Sequence, residues 1–475
     1  MNQTDVLALP IAGRAFVGER SHDVRSPFTG EIYARIAVGE KAQMEAAIAG
    51  GVAAFPAFAA WPRYRRKALL ESVSRRLTER KDEIAAAITG ESAKPLRFSE
   101  IEVDRAASTF AFAAEAVGRA GEVLPLDVSA ATVGYSAIVE RRAIGLIGAI
   151  APFNFPLNLV AHKLAPAFAV GNTVVLKPPP QAPVTSLLLA DVLYECGLPR
   201  EALSVIHCDV EVAQLLATDD RIAMLSFTGS SAVGWHLKAI AGRKRVALEL
   251  GGNAAAIVLP DADLAWAAAR CALGAFAQAG QVCIKVQRVY VDARVWDEFV
   301  PEFVKAAKAL PAGDPHDRST VLGPLIDDAN AARVEAWIAE AKAAGANVLA
   351  GGSRRGRMVE ATVLTDTTQA MKVESEEVFG PVVTVTRVSD LDDAIERTNR
   401  SRFGLQAGVF THDLRAVSRA FERLDVGAVI ANDYPTLRVD NFPYGGIKES
   451  GFGREGVTYA MDEMSELRTL VVKWT

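Results

Sequence analysis

Short apolar runs rich in valine and isoleucine alternate with stretches of helical period along most of this chain, and that alternation restricts the fold more than any other feature. Residues 132–150 read as one strand followed by the first buried strand of a sheet. Helix is expected over 157–170 and 184–196, and strand over 173–176 and 202–207. Strand, helix of about a dozen residues, then strand is the βαβ unit, so a parallel sheet is predicted. The pattern recurs with strands at 254–259, 286–291, 382–388 and 429–431 and a helix at 295–310, giving a second α/β domain. Before these, 41–124 reads as a helical entry layer broken at Pro56, Pro62 and Pro95, with one amphipathic helix over 100–122 that carries Arg105. The tail 466–474 is β-rich, and a terminal strand needs a sheet to pair with, which a second subunit can provide.

The chain has 475 residues, 50% of them hydrophobic and 23% charged, enough for two or three domains with their own cores. A net charge of -5 gives no general attraction for nucleic acid or an anionic membrane. Cys196, Cys208, Cys271 and Cys283 show no C-x-x-C spacing and the histidines are scattered, so neither a metal site nor a disulfide framework is expected. The first thirty residues mix charged side chains among short apolar runs, so no signal peptide or membrane span is expected and a cytoplasmic location is.

Several short motifs bear chemistry. In Gly280-Gln281-Val282-Cys283 a cysteine stands close behind a glycine. Ionised cysteine is the most nucleophilic ordinary side chain, although a free cysteine also serves as a small buried hydrophobe. In Phe227-Thr228-Gly229-Ser230 glycine and serine open a helical stretch after an apolar run, where backbone N–H groups suit a pyrophosphate. The spacing to Gly234 is G-x-x-x-x-G, neither the usual dinucleotide fingerprint nor a P-loop. Lys177 ends a buried-type strand, the edge at which doubly wound folds bind nucleotides, or else it caps the strand at the surface. Glu249 lies between Leu248 and Leu250 beside Gly251 and Gly252. Burial without a cation raises a carboxyl toward the range of a general base, whereas an edge position leaves it ordinary. Asn154 sits in the proline-bracketed turn Pro152-Phe153-Asn154-Phe155-Pro156, where its amide can donate to an oxyanion or simply stabilise the turn.

In their order along the chain, and joined by Glu377-Val378-Phe379-Gly380-Pro381 and Pro443-Tyr444-Gly445-Gly446-Ile447-Lys448, these motifs resemble the aldehyde dehydrogenase superfamily over nearly the whole chain. The resemblance implies an α/β fold of two interleaved doubly wound parallel-sheet domains plus a small β oligomerisation element. It divides the chain into a dinucleotide-binding domain (1–125 and 142–248), a catalytic domain (249–455) and an oligomerisation element (126–141 and 456–475). A homodimer or homotetramer, a small-molecule aldehyde substrate, NAD with NADP possible, and no metal are expected with it. By position, Cys283 becomes the nucleophile, Asn154 the oxyanion donor together with the Cys283 backbone N–H, and Glu249 the base that hydrolyses a thioester. Among cofactor contacts, Lys177 would meet the adenine ribose, Gly229 and Ser230 the pyrophosphate, and Glu377 the nicotinamide ribose, with Phe379 beside the nicotinamide and Phe153 in the same site.

Two departures qualify the resemblance. Where many NAD-preferring members carry a glutamate three residues after the lysine, this chain has Pro180, which leaves the choice between NAD and NADP open. Arg105, His162 with Lys163, and Arg438 resemble the branch acting on small hydroxylated or anionic aldehydes, yet Val282 replaces the arginine often found before the cysteine of members handling phosphorylated ones. Each of these basic residues also has a plain reading as a solvated or interface charge. A CoA-acylating enzyme generally lacks the glutamate present here as Glu249, and a non-catalytic protein on the same fold would be expected to lose Cys283 or Glu249.

Overall fold

In the computed structural model, which describes residues 5–119 and 121–474, the alternating apolar runs form two mostly parallel sheets. The first runs Leu203–Val205, Thr173–Lys177, Leu146–Ile150, Ile222–Thr228 and Arg245–Glu249 side by side, all parallel. Gly451–Phe452 adds a short antiparallel edge next to Arg245–Glu249. The first of these strands in sequence lies in the middle, so successive crossovers leave it in opposite directions. Where the direction reverses, between Leu146–Ile150 and Ile222–Thr228, the loops at the carboxyl ends part and open a crevice. One of those loops carries Phe153 and Asn154, the other Gly229 and Ser230. The strands are apolar because both faces are covered: Val174, Val175 and Leu176 are all buried. The helix Asn158–Val170 is stopped by Gly171, whose φ of 101° is the left-handed conformation a glycine adopts most readily, and Thr173 begins the next strand.

The second sheet runs Asn347–Ala350, Thr362–Thr365, Val382–Val388, Val286–Asp292, Ala254–Val258, Gln406–Phe410 and Ala428–Ala431, antiparallel only at its first pair. Residues 250–253 carry the chain from the carboxyl end of Arg245–Glu249 to the amino end of Ala254–Val258. The carboxyl edge of one sheet is thereby set against the amino edge of the other. Cys283 and Glu377 both lie just before strands of the second sheet, on that shared border.

Two expectations change. The helix predicted over 100–122 spans Leu96–Ala116, starting at Pro95 and giving out before Gly118 and Gly121. Beyond it Glu122–Pro125 is an exposed strand. The terminal strand Ser465–Lys473 pairs antiparallel along its whole length with Tyr135–Ala143 of its own chain, so it needs no second subunit to be paired. With Glu122–Pro125 these form a three-stranded sheet, so 122–125 belongs with the strands around it rather than with the helical layer. That sheet leaves Val123, Leu467, Leu470, Val471 and Trp474 exposed. Among the described residues no single helix is long and apolar enough to cross a membrane.

Candidate active site

Cys283 follows a tight turn in which Gln278, Ala279 and Gly280 all have positive φ, near 55°, 55° and 66°. Two non-glycine residues in succession there carry backbone strain that the surrounding packing must hold, a feature that clusters at functional sites. At Gly280 a side chain would strike the Gly380 carbonyl oxygen. The Cys283 thiol is partly buried, and burial pushes it up to about 11, so it needs help to ionise at neutral pH. Its sulfur lies 3.3 Å from the Tyr444 hydroxyl.

Glu249 is the last residue of its strand and is 4% exposed. Burial, with the Glu455 carboxylate nearby, raises its carboxyl well above the ordinary range, opposed by Arg438 and Lys163. Its Oε2 is buried without a hydrogen-bond partner among the described residues, as a base waiting for water would be. The Asn154 amide donates one N–H to the Gln281 carbonyl at 3.0 Å, which fixes its orientation and leaves the second N–H unused. Lys94 and Gln278 in turn donate to the Asn154 carbonyl at 3.0 and 2.6 Å.

Cys283, Glu249, Asn154, Phe153, Ser230 and Glu377 all line one cavity of about 410 Å³, together with Gly229 and Phe379. Ser230 is the N-cap of the helix Ser231–Ile240, and a side chain at Gly229 would meet the Phe227 ring, so the backbone N–H groups at this helix start are open to an anion. Glu377 accepts the Gly252 N–H at 2.9 Å, and burial lifts its carboxyl to about 7. Phe153 and Phe379 meet edge to face, 6.0 Å between centroids. Lys177 ends its strand partly buried, its ammonium held below its usual value by burial, while Pro180 beyond it is exposed. A helix start for pyrophosphate, an ammonium at a strand end and a carboxylate for a ribose fit a dinucleotide.

Arg105, His162 and Arg438 do come together, although around a carboxylate of the chain itself. Arg105 holds Asp440 in a fork, 3.2 and 2.6 Å, and His162 Nε2 lies 2.8 Å from the same carboxylate. Burial opposes the charge on Asp440, but His162 and Arg105 outweigh it and hold the carboxyl far below its ordinary value. Burial, and after it Arg438, keeps His162 below its own. The Arg438 guanidinium reaches Glu455 at 3.0 Å and lies 3.7 Å from the Tyr444 ring centroid. None of the three lines the cavity that holds Cys283; the Arg105 side chain keeps 23% of its surface exposed.

Glu455, Arg333 and Trp337 were not singled out from the sequence, and Lys163 was noted only as the neighbour of His162. Lys163 is buried and donates to Thr228 at 2.8 Å and to Glu455 at 3.2 Å, holding the Glu455 carboxyl, against its burial, down to about 2. Arg333 and Trp337, on the helix Asp328–Ala343, add to the cavity wall. Lys163 follows His162 in a helix, and nothing local shows its pairing with the distant Glu455; Arg333 sits in an alanine-rich stretch that carries no local signal.

Comparison with known proteins finds relatives over nearly the whole chain. The model of the aldehyde dehydrogenase family matches residues 16–470. A 3-sulfolactaldehyde dehydrogenase of Priestia aryabhattai is 40% identical over 453 residues, 95% of this chain and 94% of that protein. The crystal structure of aldehyde dehydrogenase 21 from Physcomitrella patens, in complex with the reaction product succinate, superposes with a TM-score of 0.96 at 43% identity, covering 99% of this chain and 98% of that one. An NADP-dependent glyceraldehyde-3-phosphate dehydrogenase from Bacillus halodurans, complexed with NADP, superposes with a TM-score of 0.96 at 33% identity, over 99% of this chain and 100% of the other.

Proposed function

Because this chain belongs to the aldehyde dehydrogenase family and is an NAD(P)-dependent enzyme that oxidises an aldehyde to the acid, we propose that Cys283, Asn154 and Glu249 carry out that oxidation through a thioester which water then hydrolyses. The observation that carries the reading is that all three side chains share one cavity with Ser230 and Glu377 of the dinucleotide crevice.

The Cys283 thiolate adds to the aldehyde carbon, and the carbonyl electron pair moves to oxygen. The free Asn154 N–H and the Cys283 backbone N–H hold that oxyanion, each contributing roughly 3 kcal/mol. A dinucleotide bound here would supply the hydride acceptor; Gly229 and Ser230 would hold its pyrophosphate, Lys177 and Glu377 its riboses, and Phe153 and Phe379 would flank the nicotinamide. Loss of hydride leaves a thioester on Cys283. Glu249 then takes a proton from water, the hydroxyl bonds to the acyl carbon, and the C–S bond breaks to release the acid and the thiolate. An aldehyde panel with NAD or NADP, with and without CoA, tests this: turnover should not depend on CoA, and a CoA requirement would replace hydrolysis by acyl transfer.

The substrate we infer is a small polar or anionic aldehyde. Two similar proteins are named for 3-sulfolactaldehyde and glyceraldehyde 3-phosphate, and a third is in complex with its reaction product succinate; each of these molecules bears an anion beside a short carbon chain. Val282 before the nucleophile favours carboxylate or sulfonate over phosphate. Recognition by Arg105 requires that it exchange Asp440 for the substrate anion, which its partial exposure permits. Arg105→Leu should then raise KM for an anionic aldehyde about tenfold or more, the size of one charge-assisted hydrogen bond, and raise it far less for a neutral aldehyde of equal length. Equal effects on the two substrates would leave Arg105 as a structural ion pair with Asp440.

For the cofactor, Pro180 places no carboxylate beside the ribose that Lys177 would contact, so a 2′-phosphate meets no like charge there. Pro180→Glu is expected to raise the NAD-over-NADP ratio of kcat/KM. An unchanged ratio in a folded variant assigns the preference to other residues.

We assign the six-stranded sheet to dinucleotide binding, the seven-stranded sheet to catalysis, and the three-stranded sheet, with its exposed Leu467, Leu470 and Val471, to a homodimer or homotetramer interface. Four free cysteines suit a reducing compartment, which supports a cytoplasmic location.

A further inference from the structure

The Tyr444 side chain is 3% exposed and packs in a small apolar cluster with Val282, Ile284 and Leu405. A phenylalanine would fill the same space, and a buried hydroxyl is costly unless it is bonded. Among the described residues the only hydrogen-bond partner of this hydroxyl is the sulfur of Cys283, at 3.3 Å. The backbone holds the ring in place: the Tyr444 N–H donates to the Glu455 carbonyl at 2.9 Å, and the Glu455 N–H donates back at 2.7 Å. Against the ring lies the Arg438 guanidinium, 3.7 Å from the centroid and itself fixed by Glu455. A cation on the ring draws electron density from the phenol and makes its O–H a better donor, while adding positive charge close to the sulfur.

We propose that Tyr444 is a catalytic residue, donating its O–H to the Cys283 sulfur so that the thiolate forms and stays aimed at the aldehyde carbon. The proposal rests on the reading of Cys283 as the nucleophile. In this step the thiol proton leaves to solvent, the sulfur keeps the electron pair that bonds to carbon, and the tyrosine proton stays on its own oxygen. Burial pushes the Tyr444 phenol well above its ordinary value, so it remains a donor over the working pH range. The same donor lies beside the sulfur when the thioester breaks, where it stabilises the departing thiolate. The device answers a problem posed by the site: burial alone disfavours ionisation of Cys283, and Tyr444 works in the opposite direction.

The test is the rate of Cys283 alkylation by iodoacetamide as a function of pH, in the full-length enzyme and in Tyr444→Phe. Removal of the donor should move the midpoint up by about one pH unit and slow alkylation at pH 8 about tenfold, as loss of one charge-assisted bond predicts. The first-turnover burst should slow in step, with dinucleotide affinity unchanged. A midpoint that does not move, with Cys283 still the alkylated residue, overturns the assignment, because a purely structural role would alter rates without shifting the titration. Should Tyr444→Phe fail to fold, 3-fluorotyrosine at this position decides: its more acidic phenol is a stronger donor and should lower the midpoint, whereas an unchanged or higher one overturns the proposal. Turnover persisting in Cys283→Ala would instead remove the reading on which the proposal rests.

Discussion

Replacing Cys283 with alanine should abolish aldehyde oxidation, lowering kcat by roughly 10⁴-fold or more, since removal of a covalent nucleophile leaves only what binding and the oxyanion donors supply. The fold and dinucleotide binding should survive. Cys283 is partly buried in a small cluster, and loss of one small side chain there costs about 1 kcal/mol. Cys196, Cys208 and Cys271 lie away from the cavity and should each be replaceable without loss of turnover. Undiminished kcat in purified, folded Cys283→Ala is the outcome that would remove the nucleophile assignment.

Glu249→Gln carries the second large effect, and it separates the two halves of the reaction. Size and burial are kept while the base is removed, so the first turnover should still release a burst of reduced cofactor, and the steady rate should fall by roughly 10²–10³-fold, the range of a general base. The pH dependence follows from the same carboxyl. Burial raises Glu249, so it is protonated and unable to accept a proton at low pH, and it becomes a base only as the pH climbs through its raised value. Turnover limited by hydrolysis should therefore rise with pH in the natural enzyme and lose that rise in Glu249→Gln. Loss of burst and steady rate together would place Glu249 earlier, at the ionisation of Cys283.

Much of this was legible before folding, for physical reasons. Glu249 stands out because a carboxylate flanked by leucines and followed by two glycines is expensive unless it is used, and the structure does bury it. Cys283 and Asn154 announce themselves by the glycine and prolines that shape their turns. The two parallel sheets were implied by the βαβ alternation alone, whereas the meeting of their edges was not. What stayed hidden depends on distant pairing. Asp440 and Arg105 are 335 positions apart, and nothing near either shows that one neutralises the other. Lys163 and Glu455, 292 apart, look like a helix residue and a loop residue until packing buries both. The tail reads clearly as a strand, but its partner within the chain is fixed only by the register with Tyr135–Ala143. The long helix ran too far because Gly118 and Gly121 were outweighed by the apolar period on either side of them.

The central claim is that an acyl group passes through Cys283 and leaves by way of Glu249. It is tested most directly by mixing Glu249→Gln with NAD or NADP and a small anionic aldehyde, quenching in acid after the burst, and mapping the peptides by mass spectrometry. The account predicts the mass of the acyl group on the peptide that contains Cys283, in an amount equal to the burst of reduced cofactor. A burst without an adduct, or an adduct on Cys196, Cys208 or Cys271, would contradict it.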